Sequence, residues 1–193
     1  MHHIYHTEGF ILESKNLNEA NKYYHILTRD LGLVVASAQG IRKISSKLRF
    51  VLQDFSYVKI DFVRGKDFWR ITSASKTNKL DSLIKKEGIL PVIFNLSKLL
   101  KRLLPGENVD EILFSDFIAG LSFLENEKEQ KNFFLIEAII VLRVLYFLGY
   151  VGEEYLIKNF VLMQYEEIDM SLVEKDKTKI IKTINTLLKE THL

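Results

Sequence analysis

The sequence predicts an α+β fold in which a small five-stranded β-barrel precedes an all-helical half. Before residue 80 the apolar residues form short runs rich in β-branched and aromatic side chains, whereas after residue 80 they recur at helical spacing. The charge changes at the same place: residues 1–80 hold 13 Lys and Arg against 7 Asp and Glu, and residues 81–193 hold 14 against 18. We therefore expect two domains, 1–80 and 81–193, of which only the first meets a polyanion.

Five segments of the first half are typical of strands. In YVKIDFV the apolar residues Val58, Ile60 and Phe62 alternate with polar ones, which indicates a strand with one buried face. Glycine occurs in two of the intervening turns, where its permissive backbone suits a hairpin. The five segments are EGFILES, YYHILTR, LVVASAQ, FSYVKIDFV and FWRITSAS. With a longer insertion at 40–50 between the third and the fourth, they fit an OB-type barrel.

The second half predicts four helices. The first two start near Ile89 and Val109 and are separated by a Pro-Gly break. The segment 133–148 is apolar nearly all round, which is typical of a central helix covered by its neighbours. Ser171 and Glu174 have the spacing of a capping box and predict the start of the last helix there.

The composition excludes several kinds of site. The chain has no cysteine, so it has no disulfide, no thiolate metal site and no cysteine nucleophile. The start MHHIYHTEGF lacks the charged residues and long apolar run of a signal peptide. The most apolar stretch, IEAIIVLRVLYFLGYV, carries Glu137 and Arg143 and is too short to span a bilayer. We expect a cytoplasmic protein without a membrane anchor.

No motif supports an enzyme, a metal site or a cofactor. His2 and His6 would share one face of a strand but lie about 13 Å apart at roughly 3.3 Å per residue, too far to bind one ion. His25 and His192 have no ligand spacing, and no glycine-rich phosphate loop is present. We therefore expect neither catalysis nor a small-molecule substrate.

The segment AQGIRKISSKLRFVLQDF, residues 38–55, is the first candidate binding element, because residues 31–53 contain no carboxylate. A single nucleic-acid strand presents phosphates and base faces, so its binder needs cations beside flat apolar surfaces. Tyr57, Phe68 and Trp69 are candidate stacking partners, although aromatic residues of short strands more often belong to the core. The predicted DNA-binding residues are four loop cations, two hairpin cations and one aromatic residue: Arg42, Lys43, Lys47, Arg49, Arg64, Lys66 and Trp69.

The first half of the sequence resembles the N-terminal domain of the bacterial recombination mediator RecO in the order of its motifs. The pattern comprises TEG, a strand ending in LG, AQG, the basic loop and LQDF. The helical half is similar in KLLKRLLPGE, in the apolar helix ending in LGY and in the closing INTLLKETHL. The matching positions of the first half are Thr7, Glu8, Gly9, Glu19, Leu31, Gly32, Ala38, Gly40, Arg42, Ser46, Leu48, Arg49, Leu52, Gln53 and Phe55.

The resemblance implies a non-enzymatic, nucleoid-associated role in recombinational repair. Such proteins bind single- and double-stranded DNA, anneal complementary strands and load recombinase with RecR and single-stranded-DNA-binding protein. The resemblance also implies a groove on the helical half for the acidic, Phe-ended tail of the latter. Lys98, Lys101 and Arg102, beside the leucines of KLLKRLL, are the candidate partner-binding residues. An ordinary amphipathic helix with a solvated basic face explains this segment equally well.

Several residues depart from the family pattern. Gln39 and Ser45 stand where basic residues are frequent, Asp54 stands where proline is usual, and the cysteine zinc module of many relatives is absent after LGY. These departures leave two alternatives open. One is a protein-interaction adaptor with little DNA affinity, and the other is an RNA-binding barrel, since stacking and phosphate contacts are not specific to DNA.

Overall fold

A computed structural model describes residues 3–66 and 68–190 and contains the predicted barrel. The strands are β1 (Ile4–Asn16), β2 (Lys22–Thr28), β3 (Gly32–Ala38), β4 (Tyr57–Arg64) and β5 (Trp69–Lys76). They close in the order β1-β2-β3-β5-β4, and every neighbouring pair is antiparallel except β3 with β5. A closed barrel of five strands followed by helices confirms the predicted fold class.

Strand β1 closes the barrel because it pairs with a neighbour along each edge. Its first part, from Ile4 to Phe10, pairs with β4, and its later part, from Gly9 to Asn16, pairs with β2. Gly9 belongs to both ladders, and a Cβ at this position would lie 2.8 Å from Cγ2 of Ile26. Only glycine therefore allows the strands to approach this closely.

Alternate side chains of the strands point into the barrel, and those on the other face of β1 meet the helices. The three alternating apolar residues of YVKIDFV lie in the inner core, as predicted. On β1, Ile11 points into the same inner core, whereas Phe10 and Leu12 join the apolar cluster of the helical half. All three β1 residues are at most 1% exposed, so this strand is buried on both faces.

The helical half contains α1 (Leu90–Leu103), α2 (Glu111–Asn126), α3 (Phe133–Phe147), the short α4 (Glu154–Leu156) and α5 (Met170–Glu190). A π-helical turn, Ile157–Val161, continues α4. Helix α3 packs against α1, α2 and α5 and buries nine of its 15 residues, which agrees with the prediction of a central helix. Within the described ranges, no helix has the length and apolar character needed to cross a membrane.

The start of α5 differs from the sequence prediction. The helix begins at Met170, and Oδ1 of Asp169 accepts hydrogen bonds from the backbone N–H and the hydroxyl of Ser171 at 2.9 and 2.7 Å. The predicted capping box of Ser171 and Glu174 is therefore wrong. Asp169 lies just before the helix, and its carboxylate is a good N-cap acceptor.

A buried ion pair ties the segment after α3 to the helical core. Arg143 is 2% exposed, and its Nη1 lies 2.7 Å from Oδ1 of Asp116. The same guanidinium donates to the carbonyls of Phe160 and Met163, and the Tyr165 hydroxyl donates to Asp116. Burial raises the pKa of the Asp116 carboxyl, although Arg143 favours its ionised form. One arginine thus fixes the backbone of the region where the resemblance places a zinc module in relatives.

The barrel and the helices share one apolar cluster. The ring centres of Phe10 and Phe117 lie 5.8 Å apart across this contact. Beside them the buried Tyr57 donates a 2.6 Å hydrogen bond to Glu8, whose carboxylate also pairs with Arg29 at 2.9 Å. Because the cluster crosses residue 80, the division into two domains at that point stays a prediction.

The contact between Tyr57 and Glu8 predicts an acid-sensitive contribution to stability. The hydrogen bond from Tyr57, together with the charge of Arg29, lowers the pKa of Glu8 below its ordinary value of 4.5. A carboxylate with a lowered folded-state pKa stabilises the fold above its unfolded-state pKa, and this stabilisation is lost as the pH falls through the folded-state pKa. Tyr57→Phe should lower the free energy of unfolding at neutral pH by about 1–2 kcal/mol, and by less in acid.

Urea unfolding of the wild-type protein and the variant, at neutral pH and in acid below the Glu8 pKa, measures this difference. Tyr150→Phe is the control, because Tyr150 is 40% exposed and lies outside this contact. A Tyr57→Phe penalty that grows as the pH falls contradicts the assignment.

Candidate nucleic-acid interface

Residues 39–56, which we call the basic loop, join β3 to β4 and are anchored at both ends. Ile41 and Leu52 are 2% and 3% exposed and insert into the core of the barrel. Gly40 has a φ of +66°, a value that favours glycine, and its N–H donates to Oδ1 of Asn21 at 2.8 Å. The chain therefore turns sharply off β3 and is held against the end of the barrel.

The four cations of the basic loop reach the surface to different extents. Arg42, Lys43 and Lys47 are exposed and Arg49 is half-buried. In the described part of the chain, none of the four has a carboxylate oxygen within 4.0 Å. Nη1 of Arg42 donates to the carbonyl of Asn18 at 2.6 Å, which orients this side chain without neutralising it. The loop thus presents uncompensated positive charge.

A cleft of about 530 Å³, which we call the loop cleft, lies between the basic loop and strands β1 and β2. Its walls include Lys22, Arg42 and Arg49, with Asp54 as the acidic residue among them. The Phe50 ring also lines the cleft and is 59% exposed, and the Arg49 guanidinium lies 4.5 Å from the ring centre. An exposed aromatic ring among cations can contact both a base and its neighbouring phosphates.

Phe50 and Lys22 line the loop cleft and are absent from the predicted DNA-binding residues. LRFVLQDF contains several apolar side chains, and an irregular loop has no period that tells which of them point inwards. In the structure Leu52 enters the barrel core and Phe50 remains outside. Lys22 is contributed by β2 and lines the cleft because β2 pairs with β3, the strand that the basic loop follows. Its position next to Ala38 in the β2–β3 ladder follows from strand pairing, not from local sequence.

The remaining predicted DNA-binding residues lie on the β4–β5 hairpin, and the structure does not place them in the loop cleft. Arg64 forms an ion pair with Glu107 of the α1–α2 loop and lies 4.7 Å from the ring centre of Trp69. Trp69 is 5% exposed, and its Nε1 donates to Glu107 at 3.0 Å. Its ring belongs to the barrel core, which corrects the prediction that it stacks on a base. Lys66 and Phe68 are exposed.

The candidate partner-binding residues of α1 differ in their surroundings. Lys98 and Arg102 are exposed and, among the residues that the structure describes, have no carboxylate within 4.0 Å. Lys101 is half-buried, and its Nζ lies 2.7 Å from Oε2 of Glu13. Leu99 lines an apolar groove of about 250 Å³ between α1, α3 and α5. Of the three predicted cations, Lys101 is therefore paired with a carboxylate, whereas Lys98 and Arg102 are not paired within the described residues.

The histidines do not form a metal site in the described part of the chain. No group of three or more His, Asp or Glu residues gathers there in a way that could hold an ion. His6 lies 2.7 Å from Asp61, and His25 lies 3.6 Å from Glu13. The other histidines weighed from the sequence, at positions 2 and 192, lie outside the described residues.

The fold and the cleft together define a class of protein. It is an α+β protein with an N-terminal OB-type barrel, a basic cleft at one end of that barrel and a helical half packed on its outer surface.

Comparisons with known proteins identify the family. The family model described as "Recombination protein O N terminal" matches residues 1–79, which contain the whole barrel. The protein named DNA repair protein RecO of Rubrobacter xylanophilus is 31% identical over 154 residues, covering 76% of this chain and 58% of that protein. The proteins of the same name from Clostridium novyi and Dehalococcoides mccartyi are 28% and 26% identical over 124 residues, covering 64% of this chain and 48% and 49% of theirs.

The chain belongs to the RecO family. It spans about half the length of the curated relatives that it matches.

The burial of Trp69 makes a prediction that fluorescence can check. The chain contains one tryptophan, so its emission reports on this residue alone. Because the ring is 5% exposed, its emission should be blue-shifted relative to the unfolded chain, and saturating oligo(dT) should leave its intensity nearly unchanged. The anisotropy of a labelled strand, recorded in parallel, shows when the protein is saturated. Strong quenching at saturation would show that a base contacts the ring, and Trp69 would then belong to the DNA interface.

Proposed function

We propose that the chain binds DNA through the loop cleft and acts as a strand-annealing mediator in recombinational repair, without catalysing a reaction. The observation that supports this most directly is the set of uncompensated cations around the exposed Phe50 ring. Membership of the RecO family, and the printed name of its relatives, DNA repair protein RecO, support the same role.

The geometry suggests how one strand binds. Lys22, Arg42 and Arg49 contact successive phosphates along the loop cleft, and a base stacks on the Phe50 ring. The exposed Lys43 and Lys47 lie outside the cleft on the same loop, where they can attract a second strand. Two complementary polyanions repel each other in solution, so a surface that screens both favours their annealing.

One observation favours the alternative of an adaptor with little DNA affinity. Asp54 lines the loop cleft and lowers its positive potential. Gln39 carries no charge where the resemblance implies a basic residue, but its side-chain oxygen accepts a 3.1 Å hydrogen bond from Arg70, which brings one cation close to this position. Anisotropy with labelled single-stranded DNA, duplex and RNA across a salt series separates mediator, adaptor and RNA-binding protein.

Alanine at Arg42, Lys43, Lys47 and Arg49 tests the proposed DNA site. Each phosphate contact releases counterions, so the logarithm of the affinity for a single strand falls with the logarithm of salt concentration at roughly −0.7 per contact. The quadruple variant should flatten this slope by about 2 to 3 units. It should also slow the annealing of complementary strands. Its melting temperature should change little, because three of the four side chains are exposed and Arg49 is half-buried in an irregular loop.

A second quadruple variant with the same change in formal charge is the matched control. It replaces four exposed lysines of the helical half that line neither the loop cleft nor its surroundings: Lys128, Lys158, Lys175 and Lys182. Its salt slope should equal that of the wild-type protein. If the two variants change DNA binding equally, net charge explains the effect and the loop cleft is not the site. A folded loop variant with unaltered binding places the DNA on another surface.

We also propose, by similarity, that the chain works with RecR and with the acidic, Phe-ended tail of single-stranded-DNA-binding protein. The apolar groove beside Leu99 suits an aromatic end group, and Lys98 and Arg102 on α1 suit its carboxylates. Glu137 also lines the groove, where burial raises the pKa of its carboxyl and Asn95 donates a 3.1 Å hydrogen bond to it.

Calorimetric titration of the tail peptide tests this partner. Replacing Lys98 and Arg102 by alanine should weaken binding by about tenfold, the size expected for the loss of two exposed ion pairs. The control is the Lys158→Ala, Lys182→Ala variant, which removes two exposed lysines of the same half. Absence of peptide binding to the wild-type protein at millimolar concentration ends the proposal for the tail and leaves the DNA proposal intact.

A further inference from the structure

A second cleft lies beside the loop cleft and reaches the helical half. This second cleft, which we call the helix cleft, has a volume of about 450 Å³ and lies between β1, the end of the basic loop and α1. Ser14 and Asp54 line both clefts, so the two clefts are adjacent and share a wall. The two adjacent clefts, which we call the joined depression, reach from the barrel to the first helix.

The helix cleft repeats the chemistry of the loop cleft. Phe94 is 57% exposed, and Lys98 lies one helical turn further along the same face of α1. Lys98 is exposed and, in the described ranges, unpaired, whereas Lys101 in the same cleft is held by Glu13. An exposed ring with a free cation beside it therefore occurs at each end of the joined depression.

A second feature of the helix cleft points to a ligand. Ser97 lines it and is 2% exposed, yet its hydroxyl oxygen has no hydrogen-bond partner among the described residues. Buried hydroxyl groups are nearly always hydrogen-bonded in folded proteins. A phosphate oxygen or a base edge in the cleft would supply the missing partner.

We propose that a single DNA strand bound in the loop cleft continues across Ser14 and Asp54 into the helix cleft. There a base stacks on Phe94 and the next phosphate contacts Lys98. This inference rests on the proposed DNA binding by the basic loop and extends it to the helical half. Asp54 repels phosphate at the shared wall, so the strand directs a base or sugar towards this residue.

Strand length separates this proposal from the one on which it rests. A strand of about 6 nucleotides occupies the loop cleft alone, whereas one of about 16 nucleotides reaches both clefts, in keeping with the site sizes of OB-type domains. In anisotropy titrations, the double variant Phe94→Ser, Lys98→Ala should bind the long strand about tenfold more weakly than the wild-type protein does. This is the loss expected for one stacked base and one phosphate contact. The short strand should bind as tightly as it binds to the wild-type protein.

The control variant is Phe134→Ser with Lys177→Ala, which removes a ring and a cation that contact each other elsewhere on the helical half. It should bind both strands like the wild-type protein. Asp54→Asn should strengthen binding of the long strand, because it removes the carboxylate from the shared wall. Melting temperatures show that each variant is folded, as expected for Phe94 and Lys98 at the surface.

The outcomes are distinct. If the short strand binds through the basic loop but the Phe94 and Lys98 variant binds the long strand normally, the extension is overturned and the DNA site in the loop cleft stands. If the wild-type protein binds neither strand, both proposals fail. If the variant loses more affinity for the acidic tail peptide than Lys98→Ala alone, and none for the long strand, the helix cleft is a peptide site and the extension is again overturned.

Discussion

The burial of β1 on both faces is the constraint on which the rest of the structure depends. Ile11 fills the barrel while Phe10 and Leu12 pack against the helices, so one strand belongs to two cores. The strand pairs along both edges as well, and Gly9 permits the close approach that this requires. Because β1 cannot shift without exposing one core or the other, it fixes α1 beside the barrel and thereby places the loop cleft next to the helix cleft.

Regular elements could be predicted from the sequence because their backbone imposes a period. Alternation in YVKIDFV indicates a half-buried strand, and the all-round apolar segment of α3 indicates a covered helix; both features are present in the structure. Irregular segments have no such period. Local sequence therefore could not show that Leu52 enters the barrel while Phe50 stays exposed, nor that Asp169 caps α5 in place of Ser171. Both choices depend on the surrounding fold.

Some residues of the candidate site could be predicted from the sequence and others could not. The reason is that a cation can be neutralised by a carboxylate that is distant in sequence and close only in the folded structure. The loop cations were predictable, since no carboxylate is near them in sequence and none approaches them in the described structure. Arg64 and Lys101 instead pair with Glu107 and Glu13, which are 43 and 88 residues away in the chain. If a phosphate bound either of these cations, the carboxylate that now pairs with it would face the phosphate without a counter-charge. Arg64 and Lys101 therefore stabilise the contact between the barrel and the helices.

The position of Asp54 carries a consequence for strand preference on the proposed path. A duplex is stiff and carries phosphates along both of its edges, so a duplex spanning the two clefts brings a phosphate close to the shared wall. A single strand rotates freely about its backbone and can turn a base towards the carboxylate, with the phosphates directed to Arg49 on one side and Lys98 on the other. On the proposed path, repulsion at this one residue would therefore penalise the duplex more than the single strand, and the two clefts would favour the strand that is unpaired.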